Sequence, residues 1–254
     1  LIRPNTKVIF LESPGSISME VQDVPAICAV AKQHDVLVML DNTWASPLLF
    51  KPFAHGVDVS IQAATKYIVG HSDVMLGTAS ANEKHWPQLR EAGYLLGYCA
   101  SADDVYLAAR GLRTIGIRLK QHQQNTLEVL SYLQQRPEIE RILHPSLPDH
   151  PGHAEFKRDF SGSNGLLSLV LKQGDAKAVT AFVEGMQFFK MGFSWGGYES
   201  LITAKLQVQA LRSATLGPYR GPLIRLHIGL EDPADLIADL ALALARFDQV
   251  MQKS

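Results

Sequence analysis

The sequence predicts an α/β protein, with a mostly parallel sheet in the first part of the chain and an α+β arrangement in the second. Three observations predict it. Val8-Ile9-Phe10-Leu11 and Val36-Leu37-Val38-Met39-Leu40 are apolar runs of strand length with a stretch of helical period between them. That order is a βαβ unit, and its crossover is right-handed. The second run has no polar alternation, as in a strand covered on both faces of a parallel sheet. From about residue 103 the pattern changes to a long helical stretch and then to short, separated strands.

In order along the chain, the first strand is followed by a Pro14-Gly15 turn. Asp23 caps a helix in which Val24, Ile27 and Ala31 recur through about His34. The second strand follows, then a third marked by Val57, Val59 and Ile61 and a fourth over Met75 to Ala79. Asp103 to Gln135 is helical, with Gly111 and Gly116 as weak points. Ile115, Leu119, Leu127, Leu130 and Leu133 share its apolar face, and Arg136-Pro137 ends it. Strands are expected at Ile139–Leu143, Leu166–Leu171 and Leu223–Ile228, with a helix near Ala176–Glu184. Asp232 caps the last helix, Pro233 takes its first turn, and Leu236, Leu240, Leu244 and Phe247 form one face. The division falls near Gly111, giving residues 1–111 and 112–254.

The chain has 254 residues, 46% hydrophobic and 19% charged, enough for one large core or two smaller ones. Lys and Arg number 24 against 25 Asp and Glu, a net charge of −1, so electrostatics argue for neither nucleic acid nor an anionic membrane as partner. Two cysteines, Cys28 and Cys99, form no disulfide framework and fit a reducing, cytoplasmic compartment. No apolar run reaches the roughly eighteen residues of a membrane span. The chain starts Leu1-Ile2-Arg3-Pro4-Asn5 without a methionine and enters an apolar run at once, which suggests a fragment.

Four places could carry chemistry. Lys66 sits between a half-apolar run and the polar turn Gly70-His71-Ser72-Asp73. An amine forms an imine with an aldehyde only when neutral, and burial beside Ala63, Ala64 and Ile68 would favour that form. The alternative is a surface lysine after a strand. Thr65 offers a hydroxyl to a phosphate, and His71 is expected as a turn hydrogen-bonder. Asp41 closes the second strand, at the carboxyl end where ligands bind in such sheets. A carboxylate there can hold a pyridine nitrogen protonated or cap the Asn42-Thr43 turn. Arg225 lies inside an apolar strand, where it needs a carboxylate: a substrate's, or an internal one. Alternation puts His227 on the same face, which weakens the reading of that face as dry. Phe193-Ser194-Trp195-Gly196-Gly197-Tyr198-Glu199-Ser200 has glycines that let backbone approach a ligand, or is a structural loop. No His, Cys, Asp and Glu set has metal-ligand spacing, and no nucleophilic triad stands out.

Gln62 to Asp73 resembles the cofactor-lysine signature of the Cys/Met-metabolism pyridoxal-phosphate enzymes, and Leu40-Asp41-Asn42-Thr43-Trp44 is similar to their pyridine-nitrogen motif. Phe193 to Leu201 and Leu223 to Asp232 resemble their substrate-carboxylate loop and strand. The resemblance runs the whole chain. Glu12-Ser13-Pro14-Gly15-Ser16, Ser194 to Ser200 and Arg225 to Asp232 align it with the family's bacterial β-eliminating members. It implies an aspartate-aminotransferase-like (fold type I) architecture and a carbon–sulfur lyase with pyridoxal 5'-phosphate as a Schiff base on Lys66. It also implies an amino-acid thioether substrate and a homotetramer with shared sites. In this frame Lys66 shuttles protons, Asp41 pairs the pyridinium, Thr65 contacts phosphate, and Ser194, Trp195 and Arg225 hold the substrate carboxylate. Ala63 replaces a serine that often binds phosphate, and Phe193 a tyrosine of the nearest members. The γ-eliminating and γ-replacing members are the alternative, as is a non-catalytic piece. A phosphate loop and a ring-stacking tyrosine are expected in well over a hundred further N-terminal residues.

Overall fold

The computed structural model describes residues 1–206 and 220–253. Its first sheet has the order β1 (Val8–Glu12), β2 (Leu37–Asp41), β3 (Val59–Ala63), β4 (Gly77–Ala81). The first three strands are parallel, with Glu12 opposite Asp41 and Asp41 opposite Ile61. Helix α1 (Val24–Gln33) makes the crossover, and the Asp23 carboxylate accepts the Ala26 N–H at 3.1 Å as its cap. α2 (Ser46–Leu49) and a 3-10 turn over Pro52–His55 lead from β2 to β3.

The fourth strand lies two residues later than expected and runs antiparallel to β3, Ala63 facing Gly77. The physical reason is the short connection. Residues 64–76 hold no crossover helix, and a parallel return needs a dozen or more residues shaped to span the sheet. Here those residues are spent on the turn around Lys66. α3 (Trp86–Leu95) follows, with no buried residue and therefore no apolar stripe in the sequence to announce it.

The long helical stretch is two helices, α4 (Ala102–Leu112) and α5 (Ile115–Leu133). The break at Arg113-Thr114 is a tight turn in which both N–H groups bond the carbonyl three residues back. Gly111 has a packing role: a Cβ there would lie 2.4 Å from the Val69 carbonyl oxygen and 2.5 Å from that of Ile68. α5 buries Ile115, Leu119, Leu130 and Leu133 as expected, but Leu127 is 42% exposed. Arg118, His122, Asn125 and Thr126 are buried instead, because this face of α5 meets backbone groups of both halves of the chain.

The second sheet comprises β5 (Ile139–Leu143), β6 (Leu166–Leu171), β7 (Lys190–Met191), β8 (Leu201–Lys205) and β9 (Leu223–His227), in the order β5-β6-β9-β8-β7. α6 (His153–Asp159), α7 (Ala176–Val183) and α8 (Pro233–Met251) flank it. The Asp232 carboxylate caps α8 through Ala234 N–H, and Leu236, Leu240, Leu244 and Phe247 are buried in one core with α7 and the sheet. A second core joins Leu11, Val38, Leu40 and Trp44 to Leu119, Leu166 and Trp195, so apolar side chains from both halves pack together. The carboxyl ends of β2 and β3 thereby come to face β9.

Candidate active site

The carboxyl ends of β2 and β3 are locked before any functional side chain is placed. Asn42 N–H donates to the Ile61 carbonyl at 2.8 Å, and Ala63 N–H donates to the Thr43 hydroxyl at 2.8 Å. Asp41 projects from this junction. One of its oxygens accepts the Thr43 N–H at 2.9 Å, so it does serve the turn. Its other oxygen has no protein partner among the described residues.

Lys66 lies in the turn that follows β3. Lys66 N–H bonds the Ala63 carbonyl at 3.0 Å, and Gly70 N–H bonds the Lys66 carbonyl at 2.8 Å. Ala64, Tyr67 and Val69 point inward and are fully buried, anchoring the turn from below. The Tyr67 hydroxyl accepts the Gly165 N–H at 3.1 Å, and the Arg118 guanidinium donates to the Ile68 and Gly111 carbonyls at 3.2 and 2.8 Å. Gly70 has φ +71°, and a Cβ there would collide with Arg118. His71 Nδ1 sits 2.6 Å from the Val69 carbonyl, the expected turn hydrogen bond.

The second sheet closes over this turn. Ser194 Oγ lies 2.6 Å from Lys66 Nζ, and Nζ stands 5.4 Å from the centre of the Trp195 ring. Gly196, with φ +85°, rests on the lysine's own backbone: a Cβ there would be 2.9 Å from Lys66 Cβ. Burial, and then the Arg225 charge, hold the Lys66 amine below the usual lysine pKa. The aromatic ring favours the ammonium form, but the net direction is downward.

Arg225 is 3% exposed, and among the described residues no carboxylate pairs with it. It donates to the Phe193 carbonyl and, at 3.4 Å, to that of Ser16, with its guanidinium carbon 4.8 Å from the Phe193 ring centre. A buried guanidinium satisfied only by carbonyls retains its full charge, and burial lowers its pKa. His227, on the same face as Arg225, is 1% exposed, so the second polar residue does not open that face to water.

Thr65 is already occupied. Its hydroxyl donates to the Leu76 carbonyl at 3.2 Å and accepts the Leu76 N–H at 2.8 Å. A hydroxyl has one proton, so it must turn away from Leu76 to donate to a phosphate. The amine, the carboxylate with a spare oxygen and the unpaired guanidinium fit the aldehyde, ring nitrogen and substrate carboxylate of a pyridoxal-phosphate site.

Sequence reasoning missed Arg118 and His122, and named His227 only as a neighbour of Arg225, although all three support this geometry from behind. Their signal was a polar side chain recurring among apolar neighbours on an otherwise buried element.

A lysine after a strand of an α/β sheet, an aspartate closing the neighbouring strand and a buried arginine near the lysine point to the class, and residues 1–245 match the family described as Cys/Met metabolism PLP-dependent enzyme. The chain belongs to that family. Its relatives include the cystathionine β-lyase of Escherichia coli (strain K12), 52% identical over 250 residues, and that of Salmonella typhimurium, 50% identical over 250 residues. Each alignment covers 96% of this chain and 63% of the relative. Among solved structures, a cystathionine γ-synthase from Xanthomonas oryzae pv. oryzae is similar with a TM-score of 0.88 and 35% identity, covering 96% of this chain and 64% of that one. The chain thus spans somewhat less than two thirds of the proteins it matches. Among the described residues, no helix is long and apolar enough to cross a membrane.

Proposed function

We propose that this chain carries the lysine-bearing part of a pyridoxal-phosphate-dependent carbon–sulfur lyase that cleaves L-cystathionine by β-elimination. With water, the products are homocysteine, pyruvate and ammonia. The observation that carries the reading is Lys66 Nζ, depressed in basicity and 2.6 Å from Ser194 Oγ, beside a buried Arg225 with no carboxylate partner among the described residues. The identities of about half to the two β-lyases support the choice of reaction.

Arg225 takes the substrate carboxylate in two charge-assisted hydrogen bonds, which fixes the Cα–H bond in direction. Lys66, its basicity lowered by burial and by Arg225, removes the Cα proton and returns a proton to the leaving sulfur. General acid–base help of this kind is worth about 10²–10⁴-fold. Ser194 holds the amine, and Trp195 shields it from water. Asp41, through its spare oxygen, keeps the ring nitrogen protonated. The cofactor, when bound, supplies the electron sink for the pair left at Cα. Thr65 is proposed as a phosphate contact once its proton leaves Leu76.

We place the reaction in the cytoplasm and in a homotetramer. Tyr94, Leu95, Leu96, Tyr98, Tyr106 and Ile117 are all exposed large apolar side chains, which assembly would cover. The division at residue 111 into cofactor and small domains is part of the same proposal. A second reading, a γ-lyase or γ-synthase, draws on the likeness to the Xanthomonas enzyme. Product analysis on the polypeptide that carries this chain decides. Pyruvate with homocysteine is expected from cystathionine; 2-oxobutyrate with cysteine overturns the β-lyase reading.

A further inference from the structure

The Ser194–Gly197 turn that faces Lys66 is fastened to β9 at both ends. At its start, Arg225 donates to the Phe193 carbonyl. At its end, the Nε2 atom of His227 lies 3.1 Å from the Gly196 nitrogen, as acceptor of its N–H, and 3.0 Å from the Gly197 carbonyl oxygen. Between these fastenings stand the two side chains that touch the lysine amine, Ser194 and Trp195. We propose that His227 is a positioning residue: its imidazole clamps the Gly196-Gly197 backbone and so keeps the Ser194 hydroxyl on Lys66 Nζ.

The clamp acts on the lysine directly because Gly196 has no side chain and is seated against the Lys66 backbone, 2.9–3.0 Å from where a Cβ would be. Gly197 is equally close to the far side of the lysine turn, where a Cβ would meet Ser72 Oγ at 2.3 Å. Neither glycine can move inward, so the turn can fail only by lifting away. His227 opposes that lifting. Its ring is fully buried between Tyr67, 6.2 Å away, and His122, 5.2 Å away between centroids. His122 is itself fixed, its Nδ1 2.8 Å from the Ile228 carbonyl. Burial and the neighbouring His122, Arg225 and Lys66 keep the imidazole neutral, so a single proton serves Nδ1 or Nε2. With Nε2 bare, it accepts from Gly196; with Nε2 protonated, it donates to Gly197. Both tautomers hold the same turn.

The inference rests on the reading of Lys66 as the working amine, and its test needs neither cofactor nor substrate. The polypeptide that carries this chain, in its cofactor-free form, is reductively methylated with ¹³C-formaldehyde, the Lys66 signal is assigned by its loss in Lys66→Arg, and its pKa is followed by NMR. His227→Phe keeps a planar ring but can make neither hydrogen bond; His227→Gln restores an acceptor for Gly196 and a donor for Gly197. In His227→Phe the turn lifts, water reaches Nζ, and the Lys66 pKa rises by about half a unit or more toward its ordinary value. In His227→Gln it stays at the wild-type value. An unchanged pKa in folded His227→Phe, or equal rises in both variants, overturns the proposal. A merely structural role would lower the melting temperature without moving this titration. Should His227→Phe not fold, exchange of the Gly196 amide in the wild-type chain decides. Protection like that of the β9 amides supports the clamp, and exchange at the rate of an open loop overturns it. A failed cystathionine assay leaves this result standing, because no substrate enters it.

Discussion

Lowering the pH from 7 to 5 should strongly destabilise this chain, and four buried histidines set the size of the effect. His122, His144, His150 and His227 are all at most 3% exposed. Burial is the first cause in each, and it depresses their pKa values to about 4, about 3, about 4 and about 3. The groups that face them are mostly cationic and act in the same direction: Arg118 on His122, His150 on His144, Arg141 and His153 on His150, and His122, Arg225 and Lys66 on His227. Asp149, beside His150, opposes them. In the unfolded chain each titrates near 6.5. The folded state therefore binds fewer protons between about pH 6.5 and 4, and stability falls as pH falls through that window. At pH 5 each histidine costs about 2 kcal/mol through protonation of the unfolded state, and the four together on the order of 8 kcal/mol. That is comparable to the whole stability of a typical domain, roughly 5–15 kcal/mol. Urea titrations followed by circular dichroism at pH 7, 6 and 5 measure it directly. A loss smaller than about 2 kcal/mol between pH 7 and 5, less than one such histidine, would refute the reasoning.

Two further outcomes are expected. Gly111→Ala gains about 1 kcal/mol of helix propensity but drives a Cβ into two backbone carbonyls, an overpacking cost of typically 1–3 kcal/mol. The variant should show a lower urea midpoint, and an equal or higher one would contradict the packing described for α4. Arg225→Gln removes the charge expected to hold the substrate carboxylate. In the active protein kcat/KM should fall about 10- to 100-fold for carboxylate-bearing substrates, from the roughly 1.5–3 kcal/mol of a charged hydrogen bond; equal loss with an amide analogue of the substrate would place Arg225 outside carboxylate binding.

The first sheet was legible because its first two strands carry unbroken apolar runs, as at Val36 to Leu40, although one face is left open, with Val8 and Phe10 exposed and only Val38 and Leu40 of β2 fully buried. The caps at Asp23 and Asp232 were legible because cap chemistry is local: each carboxylate reaches an N–H two or three residues ahead. Lys66 and Asp41 could be singled out because Asp41 closes a strand and Lys66 lies in the turn just after one. The direction of β4 was not legible, since it depends on how the Lys66 turn spends its residues. β8 was missed because Leu201–Lys205 is only partly buried, and α3 because it buries nothing. α5 was misread in part, since apolar period alone favoured Leu127 over Arg118 and His122. Their burial comes from backbone carbonyls at Ile68, Gly111 and Ile228, far apart in sequence and brought together only by the fold.

The fastening of residues 193–200 to β9 continues beyond the clamp. Leu230 N–H donates to the Tyr198 carbonyl at 2.8 Å, and the Glu231 carboxylate accepts from both the N–H and the hydroxyl of Ser200, at 2.6 and 2.9 Å. The arm proposed to grip a carboxylate and the finger that touches the amine are therefore two teeth of one comb. A shift of that comb would carry both in the same stroke. Such a shift would alter how far both stand from Lys66. A ligand pulling on the arginine would be felt at the lysine without any relay between them.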